Sequence, residues 1–133
     1  MKKLLVAMSV FMIAVSFLLA GCGGETTTSG VFTMSKITSS KGVTQDVRDA
    51  IGALNKSNYT MRLTEDGILT HIYYDTEARH AKSLNAAYRI KGGKVQYWVS
   101  NTWSDYAKIT RNKITYEFKI DGKVIYVAEY TKK

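Results

Sequence analysis

Alternating apolar and polar residues dominate the chain from residue 31 to its end. A period of two is typical of β-strands that bury one face, because successive side chains of a strand point to opposite sides of the sheet. Turn-forming dipeptides interrupt the alternation at short intervals. The pattern predicts eight strands, over residues 31–37, 59–64, 68–74, 84–91, 94–100, 106–110, 113–120 and 123–130.

The period changes once, between the first and second predicted strands. Apolar residues recur there at helical spacing, at Val43, Val47, Ala50, Ile51 and Leu54. Thr44 is a suitable N-cap and Asn55 a suitable stop. The sequence therefore predicts one short amphipathic helix over residues 44–55.

Two-residue turns predict how neighbouring strands pair, because partners across a hairpin point to the same face. The strong signals are Asp66-Gly67, Gly92-Gly93 and Asp121-Gly122. Arg111-Asn112 is weaker, since Arg disfavours a positive φ. The turns predict the pairs Ile90 with Val95, Tyr88 with Tyr97, Ala86 with Val99, Phe118 with Ile125, Tyr116 with Val127, Ile109 with Ile114 and Ala107 with Tyr116. At Asp66-Gly67 the register stays open, with Thr70 or, in a bulged loop, Leu69 opposite Leu63.

Sequential antiparallel strands with one apolar face favour an all-β, eight-stranded up-and-down barrel, with the short helix between strands 1 and 2. Closure also removes the unpaired edges that would expose the sheet to association with other chains. An open or flattened sandwich of the same strands is the alternative. In the barrel, the side chains of Tyr88, Tyr97, Tyr116, Phe118 and Ile125 are expected to point inward together.

The first 21 residues have the features of an export signal. Lys2 and Lys3 precede an apolar run that ends at Ala20. The four residues Leu19, Ala20, Gly21 and Cys22 resemble the lipobox of bacterial lipoproteins. That resemblance implies a signal peptide over residues 1–21 and acylation of Cys22, whose partner is then membrane lipid.

A small, polar segment over residues 22–30 follows the predicted cleavage site and predicts a flexible tether. Residues 31–133 form the predicted barrel domain. The expected location is extracytoplasmic, with the domain anchored by lipid to the cell membrane or to an outer membrane. Acylation would consume the only cysteine of the chain, so no internal disulfide is expected.

The opening of the first strand, Gly30-Val31-Phe32, adds a second resemblance. Together with the lipobox, tether, helix and meander of strands, it makes the chain similar to the small lipocalin-like domains of bacterial lipoproteins. Lipocalins carry Gly-x-Trp at this point; here Phe32 replaces the Trp, and the last strand has no Arg to stack on it. The resemblance implies a barrel that carries a small apolar ligand.

The chain is basic, with a net charge of +8 over 133 residues. Its charged and apolar fractions exclude a disordered chain, a collagen-like repeat and a multi-span membrane protein. The basic residues are dispersed, which argues against nucleic-acid binding. Several lie at predicted hairpin tips, namely Lys91, Lys94, Arg111 and Lys113. Outside a cell these favour an anionic partner, either lipid headgroups or a surface polymer, although solubility alone would also explain them.

Inward tyrosines supply the candidate site. Buried hydroxyls need hydrogen-bond partners, and an apolar chamber with a few polar groups is what a small-ligand site requires. The candidate ligand-binding residues are therefore Tyr88, Tyr97, Tyr116 and Phe118. These bulky side chains are equally compatible with a filled barrel that acts through its loops and basic tips.

Trp103 lies in a polar stretch, residues 100–105, that predicts a loop. Its ring is expected either to cap a barrel end or to contact a partner. His71 and His80, with Asp75 and Glu77, match no metal motif. No arrangement of residues indicates a catalytic site, so we expect neither an enzyme nor a cofactor or metal.

Overall fold

The structure is a computed structural model that describes residues 29–132. It is a closed antiparallel barrel whose strands are hydrogen-bonded in the sequence order β1 to β8, and β1 also pairs with β8. The elements are β1 Gly30–Ser39, α1 Gln45–Gly52, a 3-10 turn at Lys56–Asn58, β2 Thr60–Leu63, β3 Ile68–Asp75, β4 His80–Lys91, β5 Lys94–Val99, β6 Thr102–Thr110, β7 Lys113–Ile120 and β8 Lys123–Lys132. The predicted barrel with one helix between the first two strands is confirmed.

The predicted signal peptide and Cys22, and all of the tether except its last two residues, lie outside the described residues. Gly30, which the sequence places in the tether, is the first residue of β1. Within residues 29–132, no helix has the length and apolarity needed to cross a membrane.

The helix forms where its period predicts, but it is shorter. Thr44 is the N-cap, and its hydroxyl accepts a hydrogen bond from the Val47 amide at 3.3 Å. Ile51 is the buried residue of the helix, which ends at Gly52. Asn55 does not stop it. Its side chain instead accepts from the Ser57 amide and begins the separate 3-10 turn.

Two predicted hairpin registers are confirmed. Around Gly92-Gly93, Tyr88 pairs with Tyr97 and Ile90 with Val95. Around Arg111-Asn112, Ile109 pairs with Ile114 and Ala107 with Tyr116. The open register at Asp66-Gly67 is settled as Leu63 opposite Leu69.

The predicted register of the last hairpin is wrong beyond its first pairs. A bulge between Phe118 and Lys119 places Phe118 opposite Tyr126 and Tyr116 opposite Ala128. Ile125 is the extra residue of the bulge and is only half-buried. The core residues of β8 are therefore Tyr126, Ala128 and Tyr130. The sequence pattern predicts Ile125 and Val127 there instead.

The other corrections concern where strands and turns lie. Ser100 and Asn101, with φ of 52° and 63°, form a tight turn, so β6 begins at Thr102 rather than at Tyr106. Val99 pairs with Thr102 across this turn, and the predicted pair of Ala86 with Val99 is absent from the described β4–β5 ladder. β4 begins at His80 because its first residues pair with β3.

A contact between a cation and an aromatic ring adds to the ladder between the first and last strands. Phe32 pairs with Lys132, and the ammonium of Lys132 lies 6.0 Å from the centre of the Phe32 ring, at the outer limit of a cation–π contact. Gly30, at φ 137°, lies against the same side chain, and a Cβ there would be 2.8 Å from Lys132 Cε. Lys132 is thus the basic side chain of β8 that lies against both Phe32 and Gly30.

Alternate residues of the strands fill the barrel axis. The largest completely buried side chains are those of Tyr126, Tyr130, Phe32, Met61, Leu63, Leu69, Ile114, His71 and Val95. Because an eight-stranded barrel is only wide enough for its own side chains or one small ligand, these residues leave little room along the axis. Open volume must therefore lie to one side of it.

The up-and-down topology gives the barrel two different ends. The tether end carries the start of β1, the end of β8 and the turns that follow β2, β4 and β6. The helix end carries α1, the 3-10 turn and the turns that follow β3, β5 and β7. The amide of Lys132 donates to the Asn112 carbonyl at 2.8 Å and so fixes the last strand to a turn of the tether end.

Candidate functional site: a cleft between β6 and β7

The ladder between β6 and β7 is incomplete. It extends only from Ala107 and Tyr116 to Thr110 and Lys113, next to the turn at the tether end. Residues 102–105 of β6 pair with β5 alone, and residues 117–120 of β7 pair with β8 alone. The two strands therefore separate towards the helix end and leave a cleft in the barrel wall.

The cleft encloses about 370 Å³. Tyrosine rings form its inner part and charged side chains its rim. The lining residues are Lys94, Tyr97, Asp105, Tyr106, Ala107, Lys108, Thr115, Tyr116, Glu117 and Lys119. Small-molecule sites commonly have volumes of about 300–1,000 Å³, so the cleft has room for a small ligand.

A bulge in β6 brings a third tyrosine into this wall. Val95 pairs with Ala107 but Gln96 pairs with Asp105, so Tyr106 is the extra residue. Its ring lies 4.8 Å from the ring of Tyr97 and 5.2 Å from that of Tyr116. The bulge thus turns Tyr106 to the core side, where its hydroxyl reaches the barrel axis.

Behind the cleft, His71 connects two tyrosines. Its Nδ1 lies 2.5 Å from the Tyr106 hydroxyl and its Nε2 lies 2.7 Å from the Tyr130 hydroxyl. The Tyr116 ring lies edge-on to the imidazole at 4.5 Å. A neutral imidazole satisfies both contacts, because one ring nitrogen donates and the other accepts. The network therefore supplies hydrogen-bond partners for buried hydroxyls without a charge.

Burial keeps this network uncharged. It lowers the pKa of His71 to about 3, and it raises the pKa of the hydroxyls of Tyr106, Tyr116 and Tyr130 well above the usual value. At neutral pH the imidazole is therefore uncharged, and the tyrosines are not ionised. The inner part of the cleft is consequently suited to binding a neutral or apolar group.

The stability of the protein should therefore fall on acidification. An unfolded histidine titrates near pH 6.5, whereas folded His71 stays neutral down to about pH 3. Between these values the unfolded state binds the extra proton, so stability is lost as the pH falls. At pH 4.5 we expect His71 to contribute a loss of roughly 3 kcal/mol.

Urea unfolding at pH 7 and pH 4.5 measures this loss. His71→Gln should reduce the difference between the two pH values by most of that amount. His80→Gln, at an exposed histidine, should leave the difference as it is in the wild type. An unchanged pH dependence in His71→Gln would show that the buried imidazole is not its source.

The rim of the cleft has an excess of positive charge. The ammonium of Lys94 lies 3.0 Å from a carboxylate oxygen of Asp105, and that of Lys119 lies 3.6 Å from one of Glu117. Lys108 makes no ion pair with another described residue. Because the other two lysines are compensated, Lys108 sets the sign of the charge at the mouth.

The four predicted ligand residues separate into two groups. Tyr97 and Tyr116 line the cleft, whereas Tyr88 and Phe118 do not. The Tyr88 hydroxyl donates to the Thr64 carbonyl at 2.7 Å, and burial raises the pKa of Tyr88 to about 12. Phe118 is buried and stacks on Tyr126 with the ring centres 5.1 Å apart. These last two side chains belong to the core.

Trp103 is not in a loop, and it caps no barrel end. It lies within β6, opposite Trp98, on the outer wall. The two indoles meet edge to face at 5.3 Å, and the guanidinium of Arg89 lies 4.7 Å from the Trp103 ring. Trp98 is the more exposed of the pair, at 46%. A partner would therefore meet Trp98 first.

Asp75, one of the acidic residues near His80, has a structural role. The Asp75 carboxylate accepts from the amides of Glu77 and Ala78 and pairs with Lys82 at 3.1 Å. These contacts, the Ala78 amide first, lower the pKa of Asp75. Among residues 29–132, no three histidine, cysteine or acidic side chains come together as metal ligands would.

Sequence reasoning missed His71, Tyr106 and Lys108 as parts of this site. The alternation of β3 would have placed His71 on the same face as Leu69, but the open register of the preceding turn hid which face that was. Comparison of the chain with protein-family models, curated proteins and solved structures finds no match.

Proposed function

We propose that the protein is an acylated, extracytoplasmic lipoprotein whose barrel binds a small apolar or amphipathic ligand in the cleft between β6 and β7. The observation that carries the proposal is the opening of the barrel wall onto Tyr97, Tyr106 and Tyr116. The lipobox resemblance at Leu19 to Cys22 supports the location, and the lipocalin resemblance supports a ligand-carrying barrel. No catalytic role is proposed.

The chemistry of the cleft supports an amphipathic ligand in particular. The tyrosine rings offer apolar faces for a hydrocarbon or ring system. Lys108 offers an uncompensated positive charge at the mouth, where a carboxylate or phosphate headgroup would stay in contact with water. An apolar body inside and an anionic group at the rim would use both parts of the cleft.

Displacement of a fluorescent fatty acid by decanoic acid tests this function. The protein for the assay is the chain from residue 22 with Cys22→Ser, which keeps the tether and the barrel but carries no lipid. The protein with an unaltered cleft should bind the fluorescent fatty acid saturably, and decanoic acid should displace it completely. Thr115→Trp, which places an indole at the lining, should weaken binding at least tenfold.

Thr70→Trp is the matched control. Thr70 is half-buried like Thr115, but it lies in β3, where it pairs with Asn85 and is remote from the cleft. It should change binding less than twofold. Absence of saturable binding, or an equal effect of both substitutions, would contradict the proposal.

A filled barrel that acts through its surface is the second candidate, because the axis is packed and Trp98 is exposed. In this candidate Trp98 and Trp103 would contact a partner protein or an anionic surface polymer together with the basic tips. Trp98→Ala would then abolish partner binding without any effect on the binding of decanoic acid. The two functions are therefore separable by experiment.

A further inference from the structure

The tether end of the barrel carries an excess of positive charge at its turns. Lys91 and Lys94 flank the Gly92-Gly93 turn, and Arg111 and Lys113 lie at the next one. All four side chains are exposed. The only acidic residues in the described turns of this end are Glu65 and Asp66, and the Asp66 carboxylate accepts from the Thr64 hydroxyl.

The ion pairs at this end are weak. Lys94 pairs with Asp105, and Lys113 lies 3.9 Å from Glu129, but these lysine side chains are about half-exposed. Exposed pairs contribute little and compete poorly with a charged surface. Lys132 adds a further positive charge and donates to the Ser29 carbonyl at 2.6 Å.

The helix end has no such excess. Its described turns, the strand residues that flank them and the helical segment carry the basic residues Lys41, Arg48, Lys56, Arg79 and Lys123 and the acidic residues Asp46, Asp49, Asp75, Glu77 and Asp121. The two groups are equal in number, so their formal charges cancel. The excess positive charge is thus concentrated at the tether end of the barrel.

That end is also where the chain leaves towards Cys22. β1 begins at Gly30, and the chain from Cys22, the predicted acylation site, to Ser29 is only seven residue steps long. Seven residues span at most about 25 Å when fully extended. A bilayer that holds the acyl chains would therefore lie opposite the basic turns.

We propose that the tether end is a docking surface for the anionic lipid headgroups of the membrane that holds the anchor. Lys91, Arg111 and Lys113 contact headgroup phosphates and hold the barrel axis near the membrane normal. The cleft between β6 and β7 then opens sideways above the headgroups. The orientation rests in part on the acylation of Cys22, but the headgroup contact does not, and neither requires the cleft to bind a ligand.

Vesicle sedimentation tests the contact without the lipid anchor. The chain from residue 22 with Cys22→Ser is mixed with vesicles of phosphatidylcholine alone or with 30% phosphatidylglycerol. Binding should be detectable only with phosphatidylglycerol and should be lost in 0.5 M salt, because screening shortens the range of the interaction. Equal binding to both vesicles, or to neither, would overturn the proposal.

Two triple variants locate the contact. Lys91→Gln, Arg111→Asn and Lys113→Gln together remove three charges from the tether end; asparagine suits the φ of 36° at position 111. Lys41→Gln, Lys56→Gln and Lys123→Gln remove three from the helix end. The first variant should weaken binding to the anionic vesicles at least tenfold and the second less than twofold. Equal weakening would show that net charge, and not this end, is responsible.

Discussion

Replacing Cys22 by Ser should move the protein from the membrane fraction to the soluble extracytoplasmic fraction. Each buried methylene of an acyl chain contributes about 0.8 kcal/mol to membrane binding, and two or more chains together give a stable anchor. Removal of the thiol removes every acylation site, since the chain has one cysteine. The change should therefore be close to complete.

Fractionation and the intact mass of the purified protein measure this effect. The wild type should carry a diacyl or triacyl mass on an N-terminal Cys22. Thr27→Ser, a conservative change in the same segment, should leave both mass and location unaltered. A wild type that is unmodified and soluble, or a Cys22→Ser protein that has lost residues 1–21 and still stays in the membrane, would refute the anchor.

The second large effect concerns the core. Phe118→Ala should destabilise the barrel by roughly 3–5 kcal/mol, the usual cost of removing a buried aromatic ring. Phe118 is 7% exposed, and its ring stacks on Tyr126 and lies 6.0 Å from the ring of Tyr73. Truncation to alanine removes both of these ring contacts and leaves a cavity in the core.

Denaturant unfolding gives the free energy of this change. Val31→Ala, at a strand residue that is 49% exposed, is the control and should cost less than about 1 kcal/mol. A loss below about 0.5 kcal/mol for Phe118→Ala would mean that the ring is not part of the core. An equal loss in both variants would point instead to a general effect on the strands.

The barrel could be predicted because several of its turns contain glycine, which readily adopts the backbone conformations that tight turns require. Gly92 and Gly93 both adopt a positive φ, which glycine does at no cost, and the pairs beside them follow. Arg111 forms its turn at φ 36° against its own preference. In that hairpin the tertiary pairing of Ile109 with Ile114 outweighs the local conformation.

The bulges could not be predicted, since no residue type requires them. Extra residues at Ser35, Tyr106 and Ile125 each shift the alternation by one position. In a strand whose sequence shows no interruption, the residues that point inward therefore change from one alternate set to the other at the bulge. This is why the sequence pattern predicts Ile125, and not Tyr126, as a core residue.

Prediction of the cleft failed for the same reason. Tyr97 and Tyr116 could be assigned to the inner face from their hairpins, but Tyr106 enters the site only through a bulge. The stretch around Trp103 lacks buried alternate residues because this half of β6 has no partner in β7. It therefore resembles a loop in sequence while being a strand in the barrel.

The most direct test of the account is a titration of the ¹⁵N-labelled chain from residue 22, with Cys22→Ser, against decanoic acid. Binding in the cleft predicts saturable shifts of amide signals that are concentrated at Tyr97, Tyr106 and Tyr116 and at the other residues of β6 and β7 that line the cleft. The amides of Trp98 and of the turn at Gly122 should shift less. Shifts that do not saturate, or that centre on the outer wall around Trp98, would contradict a ligand site between β6 and β7.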